Sequence, residues 1–233
     1  VSALLCFWQL LRTKESYGLK IRKIRFDKGI LVQIIKIGLP SGVQNSIIAF
    51  ANVIVQSNIN AFGEMAMGAY TKVEGFGFLP INSFTMALTT FVGQNLGAKQ
   101  EERTRKGARF GILAAVILAE LIGVVVFLLA PQLIAAFDSS PEIIRFGVEK
   151  ARTAALFYCL LAFSHSIAAI LRGAGKTMVS MIIMMMCWCV IRVSYITVIT
   201  RFIHEIQAIF WAFPITWSIS SLILMIYYFK ADW

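Results

Sequence analysis

Apolar residues fall into six long runs along the chain, separated by short segments rich in polar residues, glycine and basic side chains. The runs cover approximately residues 40–62, 70–96, 110–130, 154–171, 178–200 and 207–229. A helix needs about 20 mainly apolar residues to cross a bilayer core of about 30 Å. The pattern therefore predicts an all-α, polytopic membrane protein whose main body is a bundle of six transmembrane helices.

The composition supports the same class of protein. Hydrophobic residues make up 58% of the 233 residues and charged residues only 15%, whereas soluble domains carry about 25% charged residues. The mean hydropathy is +0.76. These values argue against a soluble enzyme fold. The four cysteines are interpreted as small hydrophobic residues rather than as a disulfide framework, because each lies in an apolar segment.

The charges predict an orientation. Lys and Arg outnumber Asp and Glu by 22 to 12, and the basic residues lie mainly in short loops. Sixteen of them fall on the side that carries residues 12–28, five on the other side, and Arg192 lies within the membrane. By the positive-inside rule the first side is cytoplasmic. The basic excess therefore indicates orientation in a lipid bilayer, and no nucleic-acid partner is expected.

The segments outside the six runs suggest a division of the chain. Residues 1–11 are apolar but about half as long as a span, so they are predicted to end a preceding transmembrane helix of a longer protein. Residues 12–37 form a basic cytoplasmic linker, and residues 38–233 form the six-helix body. Pro40 is expected in the first turn of the first span, Pro131 is expected to close the third, and 132–147 is expected to be an interfacial connection.

Amide side chains follow one side of the first span. Polar groups at membrane depth must face other helices or a watery cavity. At 100° per residue, five polar residues fall within about 100° of arc: Ser41, Asn45, Asn52, Gln56 and Asn60. They either hydrogen-bond neighbouring helices or line a cavity. The second span continues the pattern after Pro80 with Asn82, Thr85, Thr89 and Thr90.

Three ionisable residues lie deep in the predicted spans: Glu120, His165 and Arg192. Glu120 either handles a proton or cation, pairs with Arg192 if their helices touch, or is a silent acid. His165 is either functional or a neutral imidazole bonded to a helix carbonyl. Pro80 and Pro214 are expected to kink the second and sixth spans.

No catalytic constellation is evident, so the chain is not expected to be an enzyme or to need a cofactor or a bound metal. Residues 173–177 (GAGKT) are similar to the end of a phosphate-binding loop, but Ile170 occupies the place of the required first glycine and no strand precedes it. Residues 172–177 are therefore interpreted as a basic cytoplasmic turn.

Three stretches stand out as motifs: 38–42 (GLPSG), 69–71 (AYT) leading through Pro80 to 86–98 (MALTTFVGQNLGA), and 171–177 (LRGAGKT). They resemble the corresponding motifs of the multidrug and toxic compound extrusion (MATE) transporters, of the bacterial NorM or DinF-like kind. The resemblance covers essentially the whole chain and corresponds to the C-terminal half, so residues 38–233 would be the C-lobe and would need an N-terminal lobe absent from this chain.

The resemblance implies a multi-pass protein of the bacterial inner membrane that exports small organic, often cationic, compounds by alternating access, with Na⁺ or H⁺ as the coupling ion. The amide residues and Thr89 would then line the substrate cleft, and Glu120, His165 and Arg192 would be candidates for ion coupling. The chain departs from several branches of the family, which place an acidic residue in the middle of the seventh helix, where this chain has Ile47 and Ile48.

Two other functions compete with export of drugs. A lipid-linked oligosaccharide flippase or exporter of the same superfamily would need a cleft rich in Arg and Lys, and at depth this half offers Arg192. A non-transporting fragment or scaffold is the third alternative.

Overall fold

The computed structural model of the protein describes residues 2–13, 25–60, 64–136, 139–203 and 205–230, and for 64–77 it describes the backbone alone. The described secondary structure is helical throughout, which confirms the predicted all-α class. Residues 14–24 of the predicted linker lie outside the described residues.

The chain divides into two compact units, Val1–Lys36 and Ile37–Trp233. In the first unit, α1 (Ser2–Arg12) places the Arg12 guanidinium 4.5 Å from the centre of the Trp8 ring. The helix α2 (Lys28–Asn60) starts in the same unit. It begins where it does because the Asp27 carboxylate accepts a hydrogen bond of 3.0 Å from the Ile30 backbone N–H, which caps the helix.

Two sequence expectations about helix ends were wrong. Pro40 lies inside α2 rather than in its first turn, because the cap at Asp27 starts the helix three turns earlier. Pro131 lies inside α4 (Glu101–Ala135) and does not close it. A proline removes a single hydrogen bond of the helix, and here one more turn follows it.

The second unit is built from nine further helical segments of the described chain. They are α3 (Glu64–Gly97), α4, α5 (Pro141–Ala155), α6 (Tyr158–Gly173), α7 (Thr177–Met185), a π-helical segment (Met186–Ile191), α8 (Arg192–Phe202), α9 (Ile206–Phe210) and α10 (Ala212–Lys230). Four of the described helices are long and apolar enough to cross a membrane, and the bent pair α5 and α6 would make a fifth span. The expected number of six transmembrane helices is therefore matched only approximately.

The region expected as an interfacial connection is largely helical. Residues 141–147 belong to α5, which meets α6 at an angle of 58°. The two helices are separated by a turn at Leu156 and Phe157. Pro141 occupies the first turn of α5 after Ser140, a position where its missing N–H has no helical partner to lose.

The sixth span, Ile206–Lys230, has a short break at Trp211 between α9 and α10. Pro214 is the third residue of α10. Because a proline has no N–H for the carbonyl four residues before it, Pro214 cannot supply the helical donor of Phe210, the residue just before this break.

The core of the second unit lies where α3, α4, α5, α6 and α10 pack together. Alanines supply many of its fully buried positions, among them Ala115, Ala119, Ala155, Ala162 and Ala168. Small side chains allow transmembrane helices to approach closely.

Gly173, at the end of α6, gives a test of this close packing. A Cβ atom there would lie 2.6 Å from the Thr89 backbone oxygen and 2.9 Å from Val92 Cβ on α3. We expect Gly173→Ala to lower the free energy of unfolding by about 1–3 kcal/mol, because the backbone must move. Thermal unfolding of the full-length protein in detergent measures the change.

The control for this variant is Gly97→Ala at the end of α3, where no atom lies within 4 Å of the added Cβ. It should leave the unfolding midpoint nearly unchanged. Equal midpoints for the two variants would contradict the packing of α6 on α3.

Candidate functional site

A polar cavity of about 320 Å³ lies among α2, α3, α6 and the fifth span. Its walls combine amide, basic and aromatic side chains with a few aliphatic ones. The lining residues are Ser41, Gln44, Asn45, Ile48, Phe78, Asn82, His165, Arg172, Met184 and Trp188. A cavity with this much polar lining inside an apolar helix bundle is the strongest candidate site in the described chain.

Some of the residues selected from the sequence meet at this cavity. Asn45 on α2, Asn82 on α3 and His165 on α6 line it together with Ser41. Asn52 and Gln56 are half-buried and Asn60 is exposed, and these three are not lining residues. The structure therefore brings together one end of the predicted amide stripe.

Thr89 has a different environment. Its hydroxyl donates to the Thr85 oxygen within α3 at 3.0 Å and to the Ala169 oxygen of α6 at 3.1 Å. A threonine that bonds a carbonyl of the neighbouring helix is a packing contact of the kind common between membrane helices. Pro80 lies inside α3, two residues before Asn82.

Sequence reasoning missed four polar or aromatic members of the cavity: Gln44, Phe78, Arg172 and Trp188. Arg172 was interpreted as part of a cytoplasmic turn, yet it is in the last turn of α6. A signal was available, because Arg172 follows His165 by seven residues, or nearly two full turns, which places both on one side of α6. Gln44 is 7% exposed and lies beside the predicted stripe.

Three rings form an aromatic cluster at the cavity wall. His165 contacts Trp188 edge-on with 5.2 Å between ring centres, and Phe78 lies 6.0 Å from His165 and 5.7 Å from Trp188. Edge-to-face contacts in this range are favourable. The His165 Nε2 and Trp188 Nε1 atoms are buried and have no hydrogen-bond partner among the residues whose side chains the structure describes.

Arg192 lies behind this cluster rather than in the cavity lining. It is 1% exposed, and its guanidinium donates from Nε and Nη2 to Thr216 Oγ1 at 3.3 and 2.8 Å. The guanidinium carbon also lies 4.4 Å from the centre of the Trp188 ring and 4.7 Å from that of Phe213. Arg192 therefore connects the fifth span to the sixth.

Glu120 is on another face of the bundle. Its helix α4 packs against α3, α5 and α6, and the thiol of Cys159 on α6 interacts with its carboxyl group. The Oε2 atom is buried without a hydrogen-bond partner. Among the described residues, no ion pair joins Glu120 to Arg192, and the Arg192 guanidinium donates to Thr216 of α10.

The described residues contain no group of three or more His, Cys, Asp or Glu side chains arranged to hold a metal ion.

The MatE family model matches residues 40–198 of the chain. The chain is 28% identical over 156 residues to a probable multidrug resistance protein NorM of Thermotoga maritima, covering 65% of this chain and 33% of that protein. It is 22% identical over 211 residues to a probable multidrug resistance protein YoeA of Bacillus subtilis, covering 89% of this chain and 46% of the relative. The chain thus spans a third to a half of the length of these relatives.

Solved structures also match nearly all of this chain but only about half of their own length. A crystal structure of MATE in complex with MaL6 superposes with a TM-score of 0.87 at 19% identity, covering 97% of this chain and 52% of the other. A MOP superfamily transporter from Pyrococcus furiosus gives a TM-score of 0.86 at 19% identity and the same coverage. The fold is therefore that of about half of such a transporter.

These comparisons confirm the family predicted from the sequence, and with it a membrane protein rather than an enzyme. Because the family model covers more than half of the residues, the chain belongs to the MatE family.

Proposed function

We propose that this chain is the C-terminal half of a secondary transporter that exports small organic compounds by alternating access. The observation that carries the proposal is the polar cavity, which gathers Asn45, Asn82 and His165 from three helices of an otherwise apolar bundle. Polar groups at membrane depth are costly unless they serve packing or transport. Relatives named multidrug resistance proteins support the same function.

In this proposal the cavity is one wall of a cleft, and an N-terminal lobe supplies the other. Asn45 and Asn82 are exposed in this chain, as expected for side chains that meet a transported compound between two lobes. Rocking of the lobes about the cleft would open it to each side in turn.

Transport by the full-length protein tests the proposal. The protein is reconstituted in vesicles, and uptake of rhodamine and fluorescein dyes is followed under an imposed Na⁺ or H⁺ gradient. We expect gradient-dependent accumulation of at least one dye that stops when an ionophore removes the gradient. Absence of gradient-dependent flux for both dyes would contradict the proposed function.

Glu120 is the residue that we propose for proton coupling. Its Oε2 atom is buried and makes no hydrogen bond within the described part of the chain. We expect Glu120→Gln to keep the amount of folded protein and to abolish export driven by a pH gradient, because the amide does not titrate. Glu142→Gln, at an exposed position of α5, is the control and should leave export unchanged. Normal pH-driven export in Glu120→Gln would exclude this role.

The alternative function is export of a lipid-linked oligosaccharide. The observation that favours it is Arg172, because a guanidinium in the cavity lining suits a pyrophosphate group. The dye assay separates the two functions, since an exporter restricted to such lipids would move neither dye.

The proposed orientation in a bacterial inner membrane places the loop after α3 in the cytoplasm. We expect Lys99→Cys, in a full-length protein without other cysteines, to react with an impermeant maleimide only after the cells are opened. Lys99 is exposed at the turn that follows α3. Labelling from outside intact cells would reverse the orientation.

A further inference from the structure

The polar cavity has the chemistry of an anion site. Among the described lining residues, Arg172 carries the formal charge, and none is Asp or Glu. Export of organic cations would place a cationic compound beside this guanidinium without a described carboxylate to balance it. Like charges close together in a medium of low dielectric repel strongly.

The Arg172 guanidinium has N–H donors that remain available to hydrogen-bond a ligand. Its Nη1 atom donates to Ser180 Oγ at 3.5 Å, which is the one hydrogen bond that the described residues offer it. A guanidinium has five N–H donors in a planar fork that matches carboxylate and phosphate oxygens. Most of this fork is therefore available on the cavity side of α6.

Two buried nitrogen atoms at the cavity wall are independent evidence for a ligand that carries acceptor oxygens. Trp188 Nε1 is a donor in every protonation state, and it is buried at the cavity wall without a partner. His165 Nε2, also unpartnered, is a second polar atom of the same wall. Buried polar groups normally have partners, and a ligand that carries acceptor oxygens would supply them.

The aromatic wall does not offer the usual site for a cation. Organic cations are commonly recognised over the face of a tryptophan ring. In this protein the Arg192 guanidinium already lies over the Trp188 ring, 4.4 Å from its centre. Phe78, Ile48 and Met184 still provide apolar contact for the body of a ligand.

We propose that the cavity binds an organic anion, in which a carboxylate or phosphate group contacts Arg172 and an apolar body packs on Phe78 and Met184. This inference rests on the proposed transport function and narrows its substrate class. The anionic group could belong to a soluble aromatic compound or to a phosphorylated lipid, because both present the same oxygens.

Fluorescein and rhodamine provide matched probes, since they share a xanthene ring system but carry opposite charge. We expect the full-length protein in detergent to bind fluorescein more tightly than rhodamine, measured by fluorescence anisotropy. Arg172→Gln should weaken fluorescein binding by at least about tenfold, the loss expected for a hydrogen bond to a charged group. Arg172→Lys should retain most of the binding, because it keeps the positive charge.

Arg103→Gln is the matched control, because Arg103 is exposed on α4 and does not line the cavity. Tighter binding of rhodamine than of fluorescein, or equal loss of fluorescein binding in Arg103→Gln and Arg172→Gln, would overturn the anion site. Gradient-driven transport of rhodamine alone would overturn it too and leave the proposed transport function intact. Absence of transport with charge-selective binding would instead contradict transport and support the site.

Displacement of bound fluorescein identifies the source of the anion. Displacement by 1-naphthyl phosphate supports a soluble aromatic anion, and displacement by a polyprenyl phosphate alone supports a lipid. If neither compound displaces fluorescein, the cavity is not an anion site.

Discussion

Replacing Arg192 by alanine is expected to lower the free energy of unfolding of the full-length protein by about 2–5 kcal/mol, as for other large side chains removed from a packed interior. The change removes both hydrogen bonds to Thr216 and the contacts with Trp188 and Phe213. It also leaves a cavity, because the side chain is almost completely buried. The midpoint of thermal unfolding in detergent measures the effect.

Arg201→Ala is the control for this prediction. Arg201 belongs to the same helix, α8, but is exposed, so its loss should change the midpoint little. Combining Arg192→Ala with Thr216→Val then separates the contribution of the hydrogen bonds between Arg192 and Thr216 from that of the other contacts of Arg192. If these bonds matter, the double variant is more stable than the sum of the two single effects predicts. A midpoint unchanged by Arg192→Ala would contradict the role assigned to Arg192.

The second large effect is expected on transport. Combining Asn45→Leu with Asn82→Leu should reduce export by at least about tenfold, because two polar contacts to the transported compound are lost and bulk is added to the cavity. The amount of folded protein should change little, since both side chains are exposed in this half. Initial rates of dye export, divided by protein abundance, test this expectation.

Asn58→Leu is the matched control on α2. The Asn58 amide donates to the Ile54 oxygen of its own helix and does not line the cavity. Its replacement should leave export near the original rate. If abundance and export fall together in the double variant, Asn45 and Asn82 serve helix packing and not transport.

The helical fold could be predicted from the sequence because each span is long and apolar, and short breaks within a span do not change this pattern. The ends of the helices were harder to predict. The start of α2 is capped by the Asp27 carboxylate, which accepts a hydrogen bond from the Ile30 N–H. In the sequence, Pro40 is a more conspicuous signal for the start of a helix, and it led to the wrong prediction. The break between α5 and α6 lies two residues after the predicted start of the fourth span at 154, but the hydropathy pattern does not show that the preceding segment is a helix or that the two helices meet at 58°.

Part of the candidate site could be predicted from the sequence. Asn45, Asn82 and His165 were selected because polar residues at membrane depth must face other helices or a watery cavity, and all three line the polar cavity. Arg172 was missed because a basic residue at a helix end usually faces water or the helix carbonyls. Which side chains meet across helices depends on helix rotation and packing, and for this reason the sequence also left open a pair between Glu120 and Arg192 that the structure does not form.

The central claim is that the cavity contacts the transported compound. Its most direct test is the rate at which Asn82→Cys, in an otherwise cysteine-free full-length protein, reacts with an impermeant thiol reagent in opened vesicles. We expect a transported dye to slow this reaction in proportion to its occupancy, while labelling of Lys99→Cys outside the cavity stays constant. Unchanged labelling of Asn82→Cys at a dye concentration that saturates export would contradict the claim.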